Sequence, residues 1–399
     1  MKMRKTGWAA WLALTTSFIA QQASALRPPH GARQAPAASA RFRRGGNAAE
    51  IPARFLAGLV FLPVAVNQSQ PSLFLLDSTA SASTIDPDRR AELGISNPQP
   101  AVLNLTGIDL TLASLGELAK KDFAAGVGRE YEGTLGNDFL TSVVIEINYA
   151  RQTVRLYDPA SYQYAGRSKA MHVSFIDGLP VVEAKISVPG SKAVEGAFII
   201  DTALDASLLV SRTFARSHKL HPRKTIPTSF SAGDGSDRAD LARVSGFDLG
   251  PFSIPQAIGV FPESETLADR DRRLAGEIGT KVLARFIVTF DYPHEQIFFD
   301  ASTNFRADEV EDMSGLVIRA TGPGLKRFEV SEVWPHTPGA DAGIRQGDII
   351  EGINDEAAAD MSLAEIRALF NQPAGRYKIL IGRETETVTV NLRMRRLLD

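Results

Sequence analysis

The 399-residue sequence has no cysteine and no dense block of basic residues in the part expected to fold. The absence of cysteine excludes disulfide bonds, a thiol nucleophile and cysteine-ligated metal sites. With a formal net charge of −2, nothing in the charge distribution indicates nucleic-acid binding. The apolar content of 44% is that of an ordinary globular protein with material for several hydrophobic cores.

Signatures of the common cofactor-dependent and metal-dependent enzymes are also missing. No H-E-x-x-H, G-x-S-x-G, P-loop or dinucleotide-binding fingerprint occurs. His218 and His221 are three residues apart in a helix-like segment, but a metal site would need further ligands that the sequence does not place. We therefore predict a solvated histidine pair, no metal and no cofactor.

Residues 1–25 have the pattern of a secretory signal peptide. Basic residues precede an apolar run, and Ala23-Ser24-Ala25 supplies small residues for cleavage. The run of roughly 13 residues is shorter than the ~20 needed to span a bilayer. We expect export to a bacterial periplasm or cell envelope, or secretion, with no transmembrane span after cleavage. Residues 26–50, rich in Pro, Ala, Gly and Arg, predict a flexible basic linker, either solvated or touching an anionic surface.

The most informative feature of the remaining chain is an internal repeat. Residues 73–86 read LFLLDSTASASTID and residues 197–210 read AFIIDTALDASLLV, so that Asp201-Thr202 repeats Asp77-Ser78. Each apolar run predicts a strand, and the small polar residues after it predict a turn. If the two turns face each other, their carboxylates hold one proton between them, because like charges a few ångströms apart cannot both ionise. Such a pair can activate a water molecule.

Both copies also end in a similar glycine-containing segment. Four pairs of identical residues share one offset of 143: Gly133/Gly276, Gly136/Gly279, Leu140/Leu283 and Tyr149/Tyr292. The two Asp residues are only 124 apart, so the second copy has 19 extra residues between its Asp and its G-x-x-G. The extra length falls in the Gly-rich segment 228–246, which predicts either a mobile flap, with Gly233 and Gly235 in it, or a plain exposed loop.

These segments resemble the half-sites of retropepsin-like aspartic proteases. The resemblance extends roughly over residues 51–300 and implies a mostly β fold, in which two β-barrel halves, residues 51–165 and 166–302, form a pseudo-dimer on one chain. It implies that Asp77 and Asp201 hold the lytic water between them.

Further residues of the half-sites also match the family pattern. The resemblance implies that Ser78 and Thr202 cross-link the two Asp loops and that Gly136 and Gly279 support the dyad. The glycine that follows the hydroxyl residue in the family is replaced by Thr79 in one copy and Ala203 in the other. These replacements add a Cβ close to the carboxylates.

Beyond a polar, acidic linker at residues 303–312, residues 313–399 resemble a PDZ domain, a β-sandwich with α helices. The most specific match is residues 335–348, PHTPGADAGIRQGD, a segment typical of PDZ domains in bacterial envelope proteases. The resemblance implies that a peptide or protein C-terminus adds as a strand. Four residues are predicted to contact it, two in a carboxylate-binding loop and two on a helix: Gly324, Leu325, Leu363 and Ile366.

The sequence therefore supports two hypotheses. The first is an exported aspartic endopeptidase that cuts polypeptide substrates through a water activated by Asp77 and Asp201, with the PDZ unit selecting substrates or regulating access. The alternative is a catalytically inactive protease fold that binds peptides or acts as a PDZ adaptor in the cell envelope. The placement of Thr79 and Ala203 distinguishes the two hypotheses, because it decides whether both carboxylates can contact one water molecule.

Overall fold

The computed structural model describes residues 38–96, 98–118, 121–232 and 235–398. The predicted signal peptide lies outside the described residues. Strands dominate the fold, as the sequence predicts. The helices are few and short: α1 (Pro87–Glu92), α2 (Lys121–Val127), α3 (Asn137–Leu140), α4 (Arg212–Ser217), α5 (Thr280–Leu283), α6 (Pro338–Asp341) and α7 (Leu363–Phe370).

The first half of the repeat contains twelve strands. They are β1 (Ala38–Phe42), β2 (Ala48–Ile51), β3 (Arg54–Leu56), β4 (Leu59–Val66), β5 (Ser72–Leu76), β6 (Thr84–Ile85), β7 (Ala101–Leu105), β8 (Ile108–Leu112), β9 (Gly116–Glu117), β10 (Gly133–Leu135), β11 (Val144–Asn148) and β12 (Thr153–Tyr157). Alternating apolar residues drive this pattern: β7 and β8 each bury every second side chain.

The second half repeats this order with a longer excursion after its Asp. Its strands are β13 (Met171–His172), β14 (Ser174–Ile176), β15 (Leu179–Ser187), β16 (Val194–Ile200), β17 (Leu208–Val210), β18 (Ile226–Ala232), β19 (Gly235–Arg243), β20 (Gly246–Leu249), β21 (Phe252–Ser253), β22 (Ile258–Pro262), β23 (Leu274–Ile278), β24 (Phe286–Asp291) and β25 (Gln296–Ala301).

A sheet shared by both halves joins them around a pseudo-twofold axis. Its strand order is β13-β25-β24-β11-β12-β2, so that β11 of one half pairs directly with β24 of the other. Ile145 pairs with Phe290 and Ile147 with Val288, and each pair exchanges into the other under the offset of 143. One continuous hydrophobic core extends through both halves. The duplication is therefore a symmetric unit of structure, as the repeat predicts.

The second part of residues 26–50, which the sequence predicts to be a flexible linker, forms strands instead. β1 and β2 lie within residues 38–51, where β1 pairs antiparallel with β8 and β2 pairs with β12. β8 and β12 would otherwise end their sheets with unpaired backbone N–H and C=O groups, which these strands satisfy. Ala38 and Ile51 are buried in the common core. The composition of this stretch is that of a linker, but its short alternating apolar pattern suffices for edge strands.

The C-terminal unit is a small sheet with one longer helix. Its strands are β26 (Leu316–Thr321), β27 (Arg327–Val333), β28 (Ile349–Ile353), β29 (Glu356–Ala357), β30 (Arg376–Arg383) and β31 (Glu386–Arg393). The sheet order β26-β27-β28-β30-β31 leaves β26 at an edge. Helix α7 begins at the predicted capping box, in which Ser362 Oγ accepts from Glu365 N at 3.2 Å and Glu365 Oε2 accepts from Ser362 N at 2.6 Å.

The acidic connector between the second half and this unit is anchored rather than free. Glu309 accepts hydrogen bonds from Ser207 Oγ at 2.5 Å and from Ile258 N at 3.1 Å. Glu311 pairs with Arg243 at 3.1 Å and accepts the backbone N–H groups of the chain end, Leu397 and Leu398, both at 3.1 Å. Both glutamates are buried, at 8% and 3% exposure. The connector therefore fixes the C-terminal unit to the second half.

Candidate active site

Two equivalent strands carry the two Asp residues to one place. β5 ends at Leu76 directly before Asp77, and β16 ends at Ile200 directly before Asp201. Each strand runs parallel to the strand that precedes its glycine turn, β10 in the first half and β23 in the second. The Asp77 N–H donates to the Leu135 carbonyl at 3.0 Å and the Asp201 N–H to the Ile278 carbonyl at 2.9 Å. These bonds fix the backbone of each Asp at the point where its strand ends and its loop begins.

Ser78 and Thr202 join the two loops by four reciprocal hydrogen bonds. The Ser78 N–H donates to Thr202 Oγ1 at 3.0 Å, and the Thr202 N–H donates to Ser78 Oγ at 3.1 Å. The Ser78 hydroxyl donates to the Ile200 carbonyl at 2.6 Å, and the Thr202 hydroxyl donates to the Leu76 carbonyl at 2.8 Å. Both hydroxyl residues are fully buried. These four bonds join the two Asp loops to each other.

Asp77 accepts three hydrogen bonds from residues of its own loop. Its Oδ1 accepts from Thr79 N at 2.9 Å, from Thr79 Oγ1 at 2.7 Å and from Ala80 N at 3.1 Å. All three donors bind the same carboxylate oxygen, so they fix the orientation of the Asp77 side chain. Thr79, which replaces the family's glycine, therefore keeps the backbone donor and adds a side-chain one.

Asp201 is the more enclosed of the two carboxyl groups. It is 7% exposed, and its Oδ1 accepts from Ala203 N at 2.7 Å. Burial, followed by the nearby charge of Asp77, raises the pKa of Asp201 to about 7. Desolvation and a like charge both disfavour ionisation, so this carboxyl keeps its proton under conditions where an exposed Asp has lost it. Ala203 also keeps the backbone donor that the family's glycine would supply.

A third carboxyl group, that of Glu277 on β23, lies beside Asp201. It is 5% exposed and hydrogen-bonded to Asp201. Burial, and then the charge of Asp201 and the hydrogen bond to it, raise the pKa of Glu277 well above its usual range. Its position in the G-E-I-G turn is one where apolar residues are usual in the resembled family. The charged residue inside an otherwise apolar strand was the sequence signal for it, but its role could not be derived from the sequence.

The two predicted support glycines lie under the Asp loops. A Cβ on Gly136 would lie 2.7 Å from the Ala82 carbonyl oxygen, and one on Gly279 would lie 2.3 Å from the Ala206 carbonyl oxygen. Because backbone atoms cannot move aside, both positions need glycine. Ala82 and Ala206 are equivalent in the repeat, so the close approach is the same on both sides.

The 19 extra residues of the second half form a β-hairpin. β18 and β19 pair from Ile226–Leu241 to Ala232–Gly235, as a flap would require. Of the two predicted flap residues, Gly235 begins β19, whereas Gly233 lies outside the described residues. β19 continues into pairing with β22, so the hairpin rises from the sheet that carries Asp201. Its function as a flap stays a prediction.

The predicted peptide-binding residues of the C-terminal unit lie at two places. Leu363 and Ile366 are buried within its core, at 1% and 0% exposure, so they have a packing role and their contact with a peptide stays a prediction. Gly324 and Leu325 lie in the turn that follows edge strand β26. Leu325 packs both on the core of its own unit and on a hydrophobic cluster of the first half.

The histidine pair noted in the sequence lies just beyond the C-terminal end of α4. His218 directly follows α4, and its ring packs on Phe214 with a centroid distance of 4.4 Å. His221 lies three residues further on and is exposed.

A comparison with family models identifies the C-terminal unit. A model described as a PDZ domain matches residues 329–381. The C-terminal unit is a PDZ domain. The search of curated proteins finds no match to the chain.

Solved structures provide three partial likenesses. The photosystem II D1 C-terminal processing protease is 24% identical over 22% of this chain, which spans only 24% of that protein, with a TM-score of 0.20. An aspartic proteinase from Irpex lacteus is 11% identical over 65% of this chain and 99% of its own, with a TM-score of 0.36. A retropepsin-like aspartic protease from Rickettsia conorii is 16% identical over 35% of this chain and 98% of its own, with a TM-score of 0.26.

Among the described residues, no helix is long and apolar enough to cross a bilayer. The duplicated halves, with one Asp at each equivalent strand end and reciprocal bonds between the loops, form the aspartic-protease-like fold that the sequence resemblance implies.

Proposed function

We propose that the protein is an aspartic endopeptidase that hydrolyses peptide bonds with a water molecule held between Asp77 and Asp201. The observation that carries this proposal is the reciprocal bonding of Ser78 and Thr202, the residues that directly follow the two Asp residues, in a fully buried place. The charge of Asp77 also acts on Asp201, which supports a shared site. A fold kept only for packing would not require both carboxylates, both hydroxyls and the backbone donors at Thr79 and Ala203.

The unequal surroundings of the two carboxyl groups give each a role. Asp201, whose pKa is raised to about 7, would carry the proton and donate it to the substrate carbonyl. Asp77, with three donors on Oδ1, would be the carboxylate that takes a proton from the water. As the C–N bond of the tetrahedral intermediate breaks, Asp77 would give the proton taken from the water to the leaving amine, and the proton on the former carbonyl oxygen would return to Asp201. The one proton of the resting site belongs to the pair.

Polypeptide would enter between the halves beneath the β18–β19 hairpin, and the PDZ domain would bind a peptide or protein C-terminus. We also propose export to the cell envelope, because residues 1–25 have the composition of a cleaved signal peptide. The mass of the N-terminal peptide of the mature protein from its native host would test this: an intact residue 1–25 segment would contradict it.

The test of function is cleavage of reduced, unfolded casein by the wild type and by Asp77→Asn and Asp201→Asn. Both variants should lose at least about a thousandfold in rate, since each removes one member of a unit that acts together. Asp355→Asn, an exposed Asp of the PDZ domain, is the matched control and should cleave as the wild type does. Cleavage that survives in both active-centre variants, or a wild type that cuts nothing, favours the inactive peptide-binding alternative.

A further inference from the structure

The donors on the two Asp residues are unequal, because the repeat is broken at one position. Thr79 of the first half corresponds to Ala203 of the second, so Asp201 lacks the hydroxyl that Asp77 accepts at 2.7 Å. Glu277 is hydrogen-bonded to Asp201 from the adjacent strand β23. Two ionised carboxylates cannot donate to one another, so a proton must lie between these two groups.

The equivalent of Glu277 in the first half behaves differently. Thr134 occupies that position, and its hydroxyl bonds Thr84 Oγ1 at 2.7 Å. In the first half, the side-chain donor to Asp77 is therefore Thr79, two residues later in the same loop. In the second half, the side chain bonded to Asp201 is Glu277 of the neighbouring strand β23.

We propose that Glu277 is a positioning residue of the dyad, whose protonated carboxyl donates to Asp201 as the Thr79 hydroxyl donates to Asp77. This inference rests on the proposed function. It gives each Asp one side-chain O–H donor beside its backbone N–H donors, and so fixes the orientation of both carboxyl groups around the water.

The surroundings of Glu277 suit a neutral acid. It lies opposite Ile199 of β16 and Leu209 of β17, and the Ala268 N–H is a second hydrogen-bond partner. The carboxyl groups of Asp201 and Asp77 are the charges that act on it. Two elements packed against β23 carry further charged residues: Arg212 and Arg216 on α4, and Asp269 in the turn 267–269. Asp269 accepts hydrogen bonds from the Ser211 hydroxyl and the Thr213 N–H.

The test compares Glu277→Gln with Glu277→Leu. The glutamine amide can donate to Asp201 without titrating, so its pH–rate profile for casein cleavage should match that of the wild type. Leucine removes the donor, so the apparent pKa of the alkaline limb should rise by about one unit with at least a tenfold loss of kcat. Equal loss in both variants without a shifted limb indicates a structural role and overturns the proposal.

A second readout is independent of proteolysis. The pH dependence of the denaturation midpoint reports proton uptake at Asp201. Both variants lack the titration of Glu277 itself, so they are compared with each other. The proposal requires the midpoint of Glu277→Leu to change with pH over a higher pH range than that of Glu277→Gln, even if the protein cleaves nothing. Identical pH dependences in the two variants contradict it. The failure of the positioning role is thus distinguishable from the failure of the proposed function.

A separate observation concerns the peptide groove of the PDZ domain. The open edge of β26 and the neighbouring helix α7 form the walls between which an added strand would lie. Helix α2 of the first half packs along β26. At its end, a Cβ on Gly128 would lie 2.7 Å from Cβ of Leu363, the first residue of α7. The chain's own α2 thus contacts both walls of the groove.

The same helix belongs to a hydrophobic cluster beside the two Asp loops. We name it the α2 cluster; its members are Leu59, Phe61, Leu75, Ala124 and Tyr131, with Leu56, Leu73, Leu118, Phe123, Val127, Ala203 and Leu325 packed on them. Leu75 lies two residues before Asp77 and Ala203 two residues after Asp201. Tyr131 is close enough to Asp77 for its charge, after burial, to raise the pKa of the phenol.

We infer that α2 occupies the peptide groove of the PDZ domain, and that a peptide C-terminus adding to β26 must displace it. The partner that fits is an extended chain end with apolar side chains, because Phe123 and Val127 of α2 and Leu325 of the PDZ domain all pack on the α2 cluster. Displacement would loosen the α2 cluster on both Asp loops, so groove occupancy and cleavage are coupled.

The experiment uses hydrogen exchange of the full chain, with Leu325→Asp and Leu380→Asp as a matched pair. Both leucines belong to the PDZ domain, but Leu380 is exposed and lies outside the α2 cluster. A charge at position 325 should release α2, so amides of residues 123–127 and 316–321 should exchange at least about tenfold faster. The Leu380 variant should exchange as the wild type does.

Unchanged exchange in Leu325→Asp, or equal acceleration in both variants, overturns the occupancy. Casein cleavage by the same proteins tests the coupling. Leu325→Asp should alter the rate severalfold, whereas Leu380→Asp should not, and equal rates contradict the coupling. Exchange requires no activity, so an inactive wild type would refute the proposed function and leave the occupancy measurable.

Discussion

Thr79 donates to one carboxylate oxygen of Asp77 twice, from its backbone nitrogen at 2.9 Å and from its hydroxyl at 2.7 Å. The residue that departs from the family pattern is therefore a donor to the proposed base. Thr79→Val keeps the shape and removes the hydroxyl, so we expect kcat to fall about ten- to a hundredfold, the loss of one hydrogen bond to a charged group. Thr79→Ser keeps the donor and should retain activity. Steady-state cleavage of a quenched fluorescent peptide measures this, and equal rates in the valine and serine variants would contradict the role of the hydroxyl.

The bonds between Ser78 and Thr202 predict a large loss of stability on removing one partner. Thr202→Val leaves the Ser78 N–H and the Leu76 carbonyl without their partner in a fully buried place. We expect the free energy of unfolding to fall by about 2 to 4 kcal/mol, the cost of leaving two buried polar groups unsatisfied. Thr202→Ser retains the hydroxyl and is the control. Urea denaturation followed by circular dichroism gives the values, and a loss below about 1 kcal/mol for valine would argue against the cross-link.

Much of this site is readable from the sequence because its signals are local. An apolar strand that ends in Asp followed by a hydroxyl residue sets both the loop and its bonding partner. The repeat then requires the partner loop to be equivalent. The glycine turns are readable for a similar reason, since the close approach of Gly136 to Ala82 permits no other residue.

The remaining features depend on contacts between distant segments. The bond from Glu277 to Asp201 joins β23 to a loop that lies more than seventy residues earlier, and a polar residue in an apolar run does not identify its partner. The packing of α2 on the PDZ domain leaves no periodic signal in so short a helix. The acidic connector has the composition of a linker, yet Glu309 and Glu311 are buried because donors from four other segments converge on them.

The raised pKa of Asp201 predicts the pH range of cleavage. The proposed mechanism needs Asp201 protonated and Asp77 ionised. With the pKa of Asp201 at about 7, the rate should decline as the pH rises through about 7 and should remain substantial at pH 6. Initial rates of cleavage of the fluorescent peptide, measured from about pH 3 to pH 9, give the pH at which the rate declines. A rate that is lost already above about pH 5 would contradict a raised Asp201 pKa.

The same shift predicts that Asp201 costs stability at neutral pH. Its pKa is raised in the folded state, so the folded protein binds the proton more tightly than the unfolded chain between about pH 4 and pH 7. The stability contribution of this group is therefore present below about pH 4 and is lost as the pH rises through 7. Asp201→Asn removes the cost of ionising this carboxyl group in the folded state. The variant should therefore be more stable than wild type by roughly 1 to 4 kcal/mol at pH 8. At pH 4 the two should nearly coincide. Urea midpoints at both pH values test the sign.

Glu311 should hold the PDZ domain to the second half. It is 3% exposed, pairs with Arg243 at 3.1 Å and accepts the backbone N–H groups of Leu397 and Leu398. Glu311→Ala leaves the Arg243 guanidinium, itself 22% exposed, and two backbone donors without this acceptor, so we expect a loss of about 2 to 4 kcal/mol. Small-angle scattering should show an increase in the radius of gyration as the domain separates. Glu311→Gln keeps an acceptor for the chain end and should remain compact. An alanine variant with the scattering profile of the wild type would mean that the α2 cluster alone keeps the PDZ domain in place.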